Sequence, residues 1–126
     1  HRSENFHNYD FRWTGQSASL AIPWLKGKDG TALIIRMNGE RPQNIPKAEI
    51  NIYIDKVYVG NAIVENKMND YRFYIEPEKI SVHDGTRILL RIDSTIWNPC
   101  ESGISGDNRT LGVQIEKITI EKMERQ

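Results

Sequence analysis

The twelve residues AEINIYIDKVYV, at positions 48–59, decide the fold class of this 126-residue chain. The apolar residues in the first half of the stretch stand at every second position: Ala48, Ile50, Ile52 and Ile54. A period of two predicts a strand that buries one face and leaves the other in water. Asp55-Lys56 separates this strand from Val57 and Val59, so we expect a tight hairpin, although the pair lacks the glycine that favours a two-residue turn.

The same alternation continues along most of the chain. It is found in stretches that contain residues 18–22, 31–38, 71–75, 88–92 and 111–120. Within the fourth of these, Leu89 adds an apolar side chain to the second face. No stretch carries the i, i+3, i+4, i+7 stripe of an amphipathic helix. The segment Pro77-Glu78-Lys79 suffices for one helical turn and no more.

The last of these stretches changes phase half-way. The apolar residues before the change share one face: Leu111, Val113 and Ile115. The next apolar residues are Ile118 and Ile120, which strict alternation would turn to the opposite face. One extra residue near Glu116-Lys117 returns them to the core, so we predict a β-bulge at this point.

About eight strands, separated by turns that contain Gly, Pro and Asn, predict an all-β fold. The arrangement is an antiparallel β-sandwich or jelly roll, with two sheets around one core. We place this domain at residues 11–121, between a polar N-terminal segment (1–10) and a C-terminal tail (122–126). The chain starts with HRSENF, without an initiator Met or an apolar leader, so we expect a processed product or a fragment of a longer protein.

Composition argues against several classes of function. The 17 basic residues balance 17 acidic ones, whereas nucleic-acid-binding proteins usually carry a basic excess, so no nucleic-acid partner is expected. No window approaches the roughly 20 consecutive apolar residues of a membrane helix, so this segment is not predicted to span a membrane. Cys100 is the one cysteine, which excludes an internal disulfide and a cysteine-based zinc site.

Catalytic motifs are missing from the sequence. It contains no nucleophile elbow, phosphate-binding loop or zinc-protease helix, and its three histidines (His1, His7 and His83) show no ligand-like spacing. A carboxylate pair for glycoside hydrolysis would meet only in three dimensions, and no pair stands out. We therefore do not expect an enzyme.

The tryptophans are the most informative side chains for a binding function. Trp13 shares parity with Phe11 and is assigned to the core, as a structural residue. Trp24 and Trp97 stand in loops, where an indole either packs under the loop or offers a flat apolar face to a sugar ring. Polar candidates for hydrogen bonds to that sugar lie near Trp97: Asn98, Glu101, Asp107, Asn108 and Arg109. Tyr53 and Tyr74 point outward by parity and are expected to add to a site on a sheet face.

Two interpretations remain open for the polar turn that opens the last strand. Asp107 and Arg109 flank Asn108, so their side chains either pair, as a planar guanidinium does with a carboxylate, or contact a ligand. Gly112, inside the strand, indicates a bulge or a close backbone approach and is assigned a structural role.

Three stretches resemble an accessory β-sandwich domain of bacterial and archaeal cell-surface polysaccharide proteins: FRWTGQSASLAIP (11–23), LRIDSTIWNP (90–99) and SGDNRTLGVQIEKITI (105–120). Such domains are often attached to glycosyltransferases that are membrane-embedded or sugar-nucleotide-dependent. The resemblance implies a non-catalytic module, similar in architecture to jelly-roll carbohydrate-binding modules and located outside the cytoplasm or at the cell surface. It gives weight to the residues that match its motifs: Arg12, Trp13, Trp97, Pro99, Asp107, Arg109 and Gly112.

The leading interpretation is a carbohydrate-binding accessory module whose partner is a glycan. The candidate binding residues are Trp24, Trp97, Asn98, Asp107, Asn108 and Arg109. The alternative is a structural or protein-interaction domain that packs against a parent glycosyltransferase and has no ligand of its own. No cofactor is expected. Jelly-roll modules often hold a structural calcium, and Asp29, Asp84 and Asp107 offer oxygen ligands, but the sequence contains no recognisable calcium loop.

Overall fold

The computed structural model describes residues 6–10, 14–98 and 111–124. These residues form two four-stranded antiparallel sheets, so the predicted β-sandwich is confirmed. Sheet 1 has the strand order β1-β8-β3-β6, and sheet 2 has the order β2-β7-β4-β5. The strands are β1 (Phe6–Asp10), β2 (Ser17–Pro23), β3 (Thr31–Asn38), β4 (Ala48–Ile54), β5 (Val57–Val64), β6 (Asn69–Ile75), β7 (Arg87–Ser94) and β8 (Gln114–Lys122).

The core lies between the sheets and consists of the inward residues of the alternating strands. On β4 the isoleucines are fully excluded from solvent, while Glu49 and Asn51 between them are exposed. Burial of one isoleucine side chain contributes roughly 1.5–3 kcal/mol. Because a slip of one residue would exchange the two faces of β4, this burial also fixes the register of the strand.

The hairpin between β4 and β5 forms without a glycine. Asp55 and Lys56 have φ angles of 46° and 73°, the left-handed conformation that a type I′ turn needs at both positions. Asp55 donates its amide N–H to the Leu89 carbonyl at 3.0 Å, and its Oδ1 accepts the Leu89 amide at 2.8 Å. These two hydrogen bonds to β7 stabilise the turn, and aspartate tolerates the left-handed region better than most residues.

The predicted bulge in β8 is confirmed. Arg36 of β3 is opposite Lys117, and Met37 is opposite Ile115, so Glu116 is the extra residue. Glu116 and Lys117 are both exposed, whereas Ile115 and Ile118 on either side of them are buried.

Helix is nearly absent from the described part of the chain. Its one helical element is a 3₁₀ turn at Pro77–Lys79, as predicted, and no helix there is long and apolar enough to cross a membrane.

Both predicted ends of the domain need correction. Residues 6–10 form β1, which pairs with β8 at the edge of sheet 1, so the sandwich begins before residue 11. At the other end, Met123 exchanges main-chain hydrogen bonds with Gly30 (2.9 Å) and Asp29 (2.7 Å). Pairing at a sheet edge uses main-chain groups that every non-proline residue carries, so a polar sequence such as FHNYD gives no periodic signal for it.

Candidate functional site on the exposed face of sheet 2

The outward side chains of sheet 2 form the candidate site, which we call the sheet-2 face. Antiparallel register places residues from four strands in one row across it: Ser17, Asp93, Asn51 and Asn61. In the next row Arg91 is opposite Tyr53, which is opposite Tyr58. Neighbouring strands are about 4.8 Å apart, so each row is a continuous surface several side chains wide.

An open depression of ≈ 600 Å³ occupies one end of the sheet-2 face. Every residue that lines it is polar or charged: Gln16, Ser17, Glu49, Asn51, Arg91, Asp93, Ser94 and Thr95. Amides, hydroxyls, carboxylates and a guanidinium together supply both donors and acceptors. A ligand rich in hydroxyl groups, each of which donates and accepts, matches this lining.

Arg91 and two tyrosines form a fixed cluster beside the depression. The Arg91 guanidinium carbon lies 4.2 Å from the centroid of the Tyr53 ring, within range of a cation–π contact. Arg91 Nε is 3.2 Å from Asp93 Oδ1, an ion-pair distance without hydrogen-bond geometry. Tyr53 meets Tyr58 edge to face, with ring centroids 5.7 Å apart, an arrangement that adds about 0.5–1.5 kcal/mol to simple burial.

Tyr58 is the ring of this cluster that remains accessible. It is 44% exposed, and its hydroxyl accepts a hydrogen bond from the Asn61 side-chain amide. Tyr53 is only partly exposed, and the guanidinium of Arg91 covers one of its faces. The prediction that Tyr53 adds to a sheet-face site therefore takes a modified form, in which Tyr53 supports Tyr58.

Hydrogen bonds also hold several of the residues that line the depression. Ser17 Oγ donates to Asp93 Oδ1 at 2.8 Å, which links β2 to β7 across the exposed face. The Glu49 amide donates to Thr95 Oγ1, and the Thr95 amide donates to the Glu49 carbonyl, both at 3.0 Å. Ser17, Asp93 and Thr95 are therefore held in place before a ligand arrives, which reduces the entropy cost of binding.

Arg41 supports the rim of the depression and was not identified from the sequence. Its side chain is 5% exposed. Nη1 donates to the carbonyls of Gly39 and Gly112, both at 3.0 Å, and Nη2 donates to the Thr95 carbonyl at 2.7 Å. Burial of the guanidinium lowers the pKa of Arg41. No sequence pattern marks this residue, because its acceptors are main-chain carbonyls and two of them, those of Thr95 and Gly112, are far away in the chain.

The prediction that Trp24 offers a ring face to a ligand is wrong. Its side chain is 2% exposed and belongs to the core cluster. The Trp24 amide donates to the Thr86 carbonyl at 2.8 Å, and the Trp24 carbonyl accepts the Gly85 amide at 2.7 Å. The chain thus stays extended beyond β2, and Trp24 keeps the inward direction of Ile22. The parity with Ile22 was visible in the sequence.

Trp97 and Asn98 lie two and three residues beyond Thr95 at the rim of the depression. The main chain of Trp97 pairs with Leu111 through hydrogen bonds of 2.9 and 2.8 Å. Both side chains are half-buried, and Trp97 Nε1 is buried without a hydrogen-bond partner among the described residues. The other candidates from sequence lie outside the described residues and stay predictions: Asp107, Asn108 and Arg109 for binding, and Arg12 and Trp13 for structure.

Gly112 is located where no larger residue fits. A Cβ atom on Gly112 would lie 2.2 Å from Thr14 Oγ1 and 2.3 Å from the Gly15 carbonyl oxygen. Thr14 in turn pairs with Val113 through main-chain and hydroxyl hydrogen bonds of 2.9 and 3.0 Å. This is the close backbone approach that the sequence suggested, and it supports a structural role for Gly112.

Of the acidic residues named as possible calcium ligands, Asp29 and Asp84 are described by the structure and Asp107 is not. The described part of the chain contains no cluster of three His, Cys, Asp or Glu residues that suits a metal ion. Asp84 accepts hydrogen bonds from the Lys26 amide (2.9 Å) and the Lys122 ammonium (3.1 Å). The Lys26 amide, assisted by Lys122, lowers the pKa of Asp84. These bonds give Asp84 a structural function.

No protein-family model matches the sequence, and no curated protein matches it. Solved structures do match the fold. One is the CBM36-1 domain of a multidomain xylanase from the hindgut metagenome of Trinervitermes trinervoides (TM-score 0.53, 10% identity, 92% of this chain and 77% of that chain). Another is BtGH115A, a family GH115 4-O-methyl-α-glucuronidase with specificity for decorated arabinogalactans (TM-score 0.56, 12% identity, 92% and 14%).

The Cry4Aa mosquito-larvicidal toxin of Bacillus thuringiensis has the same fold over 92% of this chain and 19% of that one, with a TM-score of 0.57 and 14% identity. This chain therefore spans most of the isolated CBM36-1 domain and less than a fifth of the two larger proteins. At identities this low, the matches show the fold alone, and it is similar to that of a carbohydrate-binding module. Since a toxin shares the fold, function must be argued from the site.

Proposed function

We propose that this chain is a non-catalytic accessory module that binds a glycan on its sheet-2 face. The observation that carries the proposal is the polar depression on the same sheet face as the exposed ring of Tyr58, which Tyr53 connects to the lining residue Arg91. A pyranose ring presents an apolar C–H face and a rim of hydroxyl groups. Tyr58 matches the first, and the amides and carboxylates of Asn51, Asn61 and Glu49 match the second.

The arrangement suits weak, selective binding. Water competes for every hydroxyl group of a sugar, so each hydrogen bond contributes only about 0.5–1.5 kcal/mol net. Specificity then comes from groups that are already in place, such as Asp93 held by Ser17 and Thr95 held by Glu49 and Arg41. The pairing of Asp93 with Ser17 and Arg91 supports a binding role for this carboxylate, in keeping with a module that performs no chemistry.

The wider setting is also a proposal. The sequence resemblance favours a parent protein that handles cell-surface polysaccharide in a prokaryote, with this module outside the cytoplasm next to a glycosyltransferase. In that setting, Trp97 and Asn98 would extend the binding surface beyond the Thr95 rim, because they follow it directly in the chain, and Asp107, Asn108 and Arg109 stay candidates for ligand contact.

One observation favours the alternative, a domain that packs against its parent glycosyltransferase. Ile63 on β5 is 58% exposed and is opposite Glu49, at the border of the same face. Single exposed apolar side chains are common on protein surfaces, but Ile63 gives a partner protein an apolar contact beside the polar depression. The two candidate functions therefore differ in which side chain matters, Tyr58 or Ile63.

A glycan array with the purified chain, followed by calorimetric titration of the best glycan, tests the proposal. We expect Tyr58→Ala to weaken binding at least tenfold and Ile63→Ala to change it less than twofold. Both residues are exposed on β5, so Ile63→Ala is a matched control for folding and for the strand. Absence of any bound glycan, or equal loss in both variants, would rule out the sheet-2 face as a sugar site.

A further inference from the structure

Tyr74 is a second exposed tyrosine, and it does not belong to the sheet-2 face. It lies on β6 of sheet 1, whereas Tyr53 lies on β4 of sheet 2, so the two tyrosines that parity turns outward do not share a sheet face. Its side chain is 50% exposed. The structure therefore places the two outward tyrosines on opposite sheets.

The ring of Tyr74 is fixed in its exposed position. Its hydroxyl donates to the Asp29 carbonyl. Gly30, with a φ angle of 119°, lies against the ring, and a Cβ atom there would come within 2.7 Å of Tyr74 Cε1. A side chain at residue 30 would displace the ring, so the turn at 27–30 holds Tyr74 in one orientation.

Two small depressions meet at this ring. One, of ≈ 220 Å³, is lined by Val59, Tyr74, Ile75, Glu76 and Lys79. The other, of ≈ 280 Å³, is lined by Lys28, Asp29, Tyr74, Glu76, Pro77 and Glu78. Tyr74 and Glu76 line both. Pockets for drug-sized ligands measure about 300–1,000 Å³, so each depression is suited to a group no larger than one monosaccharide unit.

We propose that Tyr74 forms a second saccharide-contacting surface, on sheet 1, which takes an uncharged pyranose unit. The proposal rests on the glycan-binding function above and adds a site to it. The ring supplies a rigid apolar face, and Glu76 and Lys79 supply an acceptor and a donor at its side. Two basic and three acidic residues line the two depressions together, which leaves no positive excess to attract an anionic sugar.

The two surfaces flank one edge of the sandwich. Tyr58 belongs to the sheet-2 face, and the next residue, Val59, lines a depression at Tyr74. Gly60 packs so closely on Phe73 of β6 that a Cβ atom would lie 2.9 Å from the ring, so the β5 and β6 edges are in contact. Two weak surfaces on one module bind a glycan more tightly than either surface alone, provided that the glycan is long enough to reach both.

The competing explanation is that Tyr74 has a purely structural role. Removing the hydroxyl alone, and then the whole ring, distinguishes this role from saccharide binding. Tyr74→Phe removes the hydrogen bond to Asp29 and keeps the ring, whereas Tyr74→Ala removes both. For a saccharide surface, the phenylalanine variant retains binding and the alanine variant loses it. For a brace, both variants lose stability and neither changes sugar contacts in the folded protein.

The test is a ¹H–¹⁵N NMR titration of the whole chain with methyl β-D-glucopyranoside, and in parallel with sodium glucuronate. We expect the glucoside to shift two separate groups of amide resonances, one around Tyr58 and Asn61 and one around Lys28, Tyr74 and Glu76. Tyr74→Ala should reduce the second group of shifts at least tenfold at equal sugar concentration. Tyr58→Ala should reduce only the first group.

Each other outcome assigns the failure to one of the two sites. Shifts around Tyr58 alone would overturn the second surface and leave the sheet-2 face intact. Shifts around Tyr74 alone would support the second surface and overturn the sheet-2 site. Stronger shifts around Tyr74 with glucuronate than with the glucoside would overturn the assignment to an uncharged sugar, and no shifts with either sugar would overturn both sites.

Discussion

Replacing Arg41 by alanine tests how the rim of the depression is held. The change removes three hydrogen bonds from a charged, buried donor. Such bonds contribute about 1.5–3 kcal/mol each, but the cost of burying the charge, several kcal/mol, disappears with it. The Thr95 carbonyl keeps the Ser94 hydroxyl as a donor at 2.7 Å. The carbonyls of Gly39 and Gly112 lose the Arg41 bond, at about 1–3 kcal/mol each.

The expected loss in the free energy of unfolding is therefore on the order of 3–5 kcal/mol, a large part of the stability of a domain of this size. Urea denaturation at pH 7, followed by circular dichroism, measures it. Arg41→Lys keeps the charge but has one nitrogen for three acceptors in different directions. Its free energy of unfolding should therefore lie between those of the wild type and Arg41→Ala.

Arg72→Ala is the matched control, because Arg72 pairs with Glu121 at 3.6 Å on the surface, where an ion pair adds little. It should leave the urea midpoint almost unchanged. If Arg41→Ala is as stable as Arg72→Ala, water replaces the guanidinium without cost, and Arg41 does not stabilise the rim of the depression. If Arg41→Ala also weakens glycan binding while Arg72→Ala does not, the Thr95 rim contributes to the site.

Three further predictions concern the core, the strand register and pH. Trp24→Ala should cost about 3–5 kcal/mol in urea denaturation as a core truncation, and a cost under 1 kcal/mol would place the ring in solvent. Deletion of Glu116 restores strict alternation in β8 and should leave a cooperative fold, whereas deletion of Thr119 turns Ile120 outward and should abolish cooperative unfolding. The lowered pKa of Asp84 means that its contribution to stability is present above pH 3.8, its ordinary value, and is lost as the pH falls further. Asp84→Asn should therefore flatten the acid side of the stability profile, and an unchanged slope would contradict the hydrogen bonds to Lys26 and Lys122.

The sequence was sufficient for the strands that bury one face. In β4 and β8 the apolar spacing reports burial directly, so the hairpin at Asp55-Lys56 and the bulge at Glu116 both followed from it. β1 could not be predicted in this way, because an edge strand is recruited through its main chain. Trp24 was misplaced because it was assigned to a loop, although its parity with Ile22 pointed into the core.

The site was less accessible to sequence analysis than the fold. Its rows combine β2, β7, β4 and β5, and this strand order is set by three-dimensional packing rather than by sequence distance. The outward direction of Tyr53 followed from parity. The predicted hairpin also places Tyr58 opposite Tyr53, but Arg91 could not be placed, since nothing in a linear pattern pairs β4 with β7. Arg41 escaped detection for a similar reason, because two of its three acceptors, the carbonyls of Thr95 and Gly112, are distant in the chain.

The composition of the sheet-2 face is itself an argument for binding. Asparagine is unfavourable in strands, yet Asn51 and Asn61 are directly opposite each other in the middle of β4 and β5. Their inward neighbours already fix the register, so these exposed positions are free to hold threonine or another good strand former at no cost to the core. Residues that lower local propensity without improving packing are expected where a ligand is contacted. Replacing both asparagines with threonine should therefore stabilise the sandwich and weaken glycan binding. If the face has only a structural role, the same change should stabilise the sandwich and leave glycan binding unchanged.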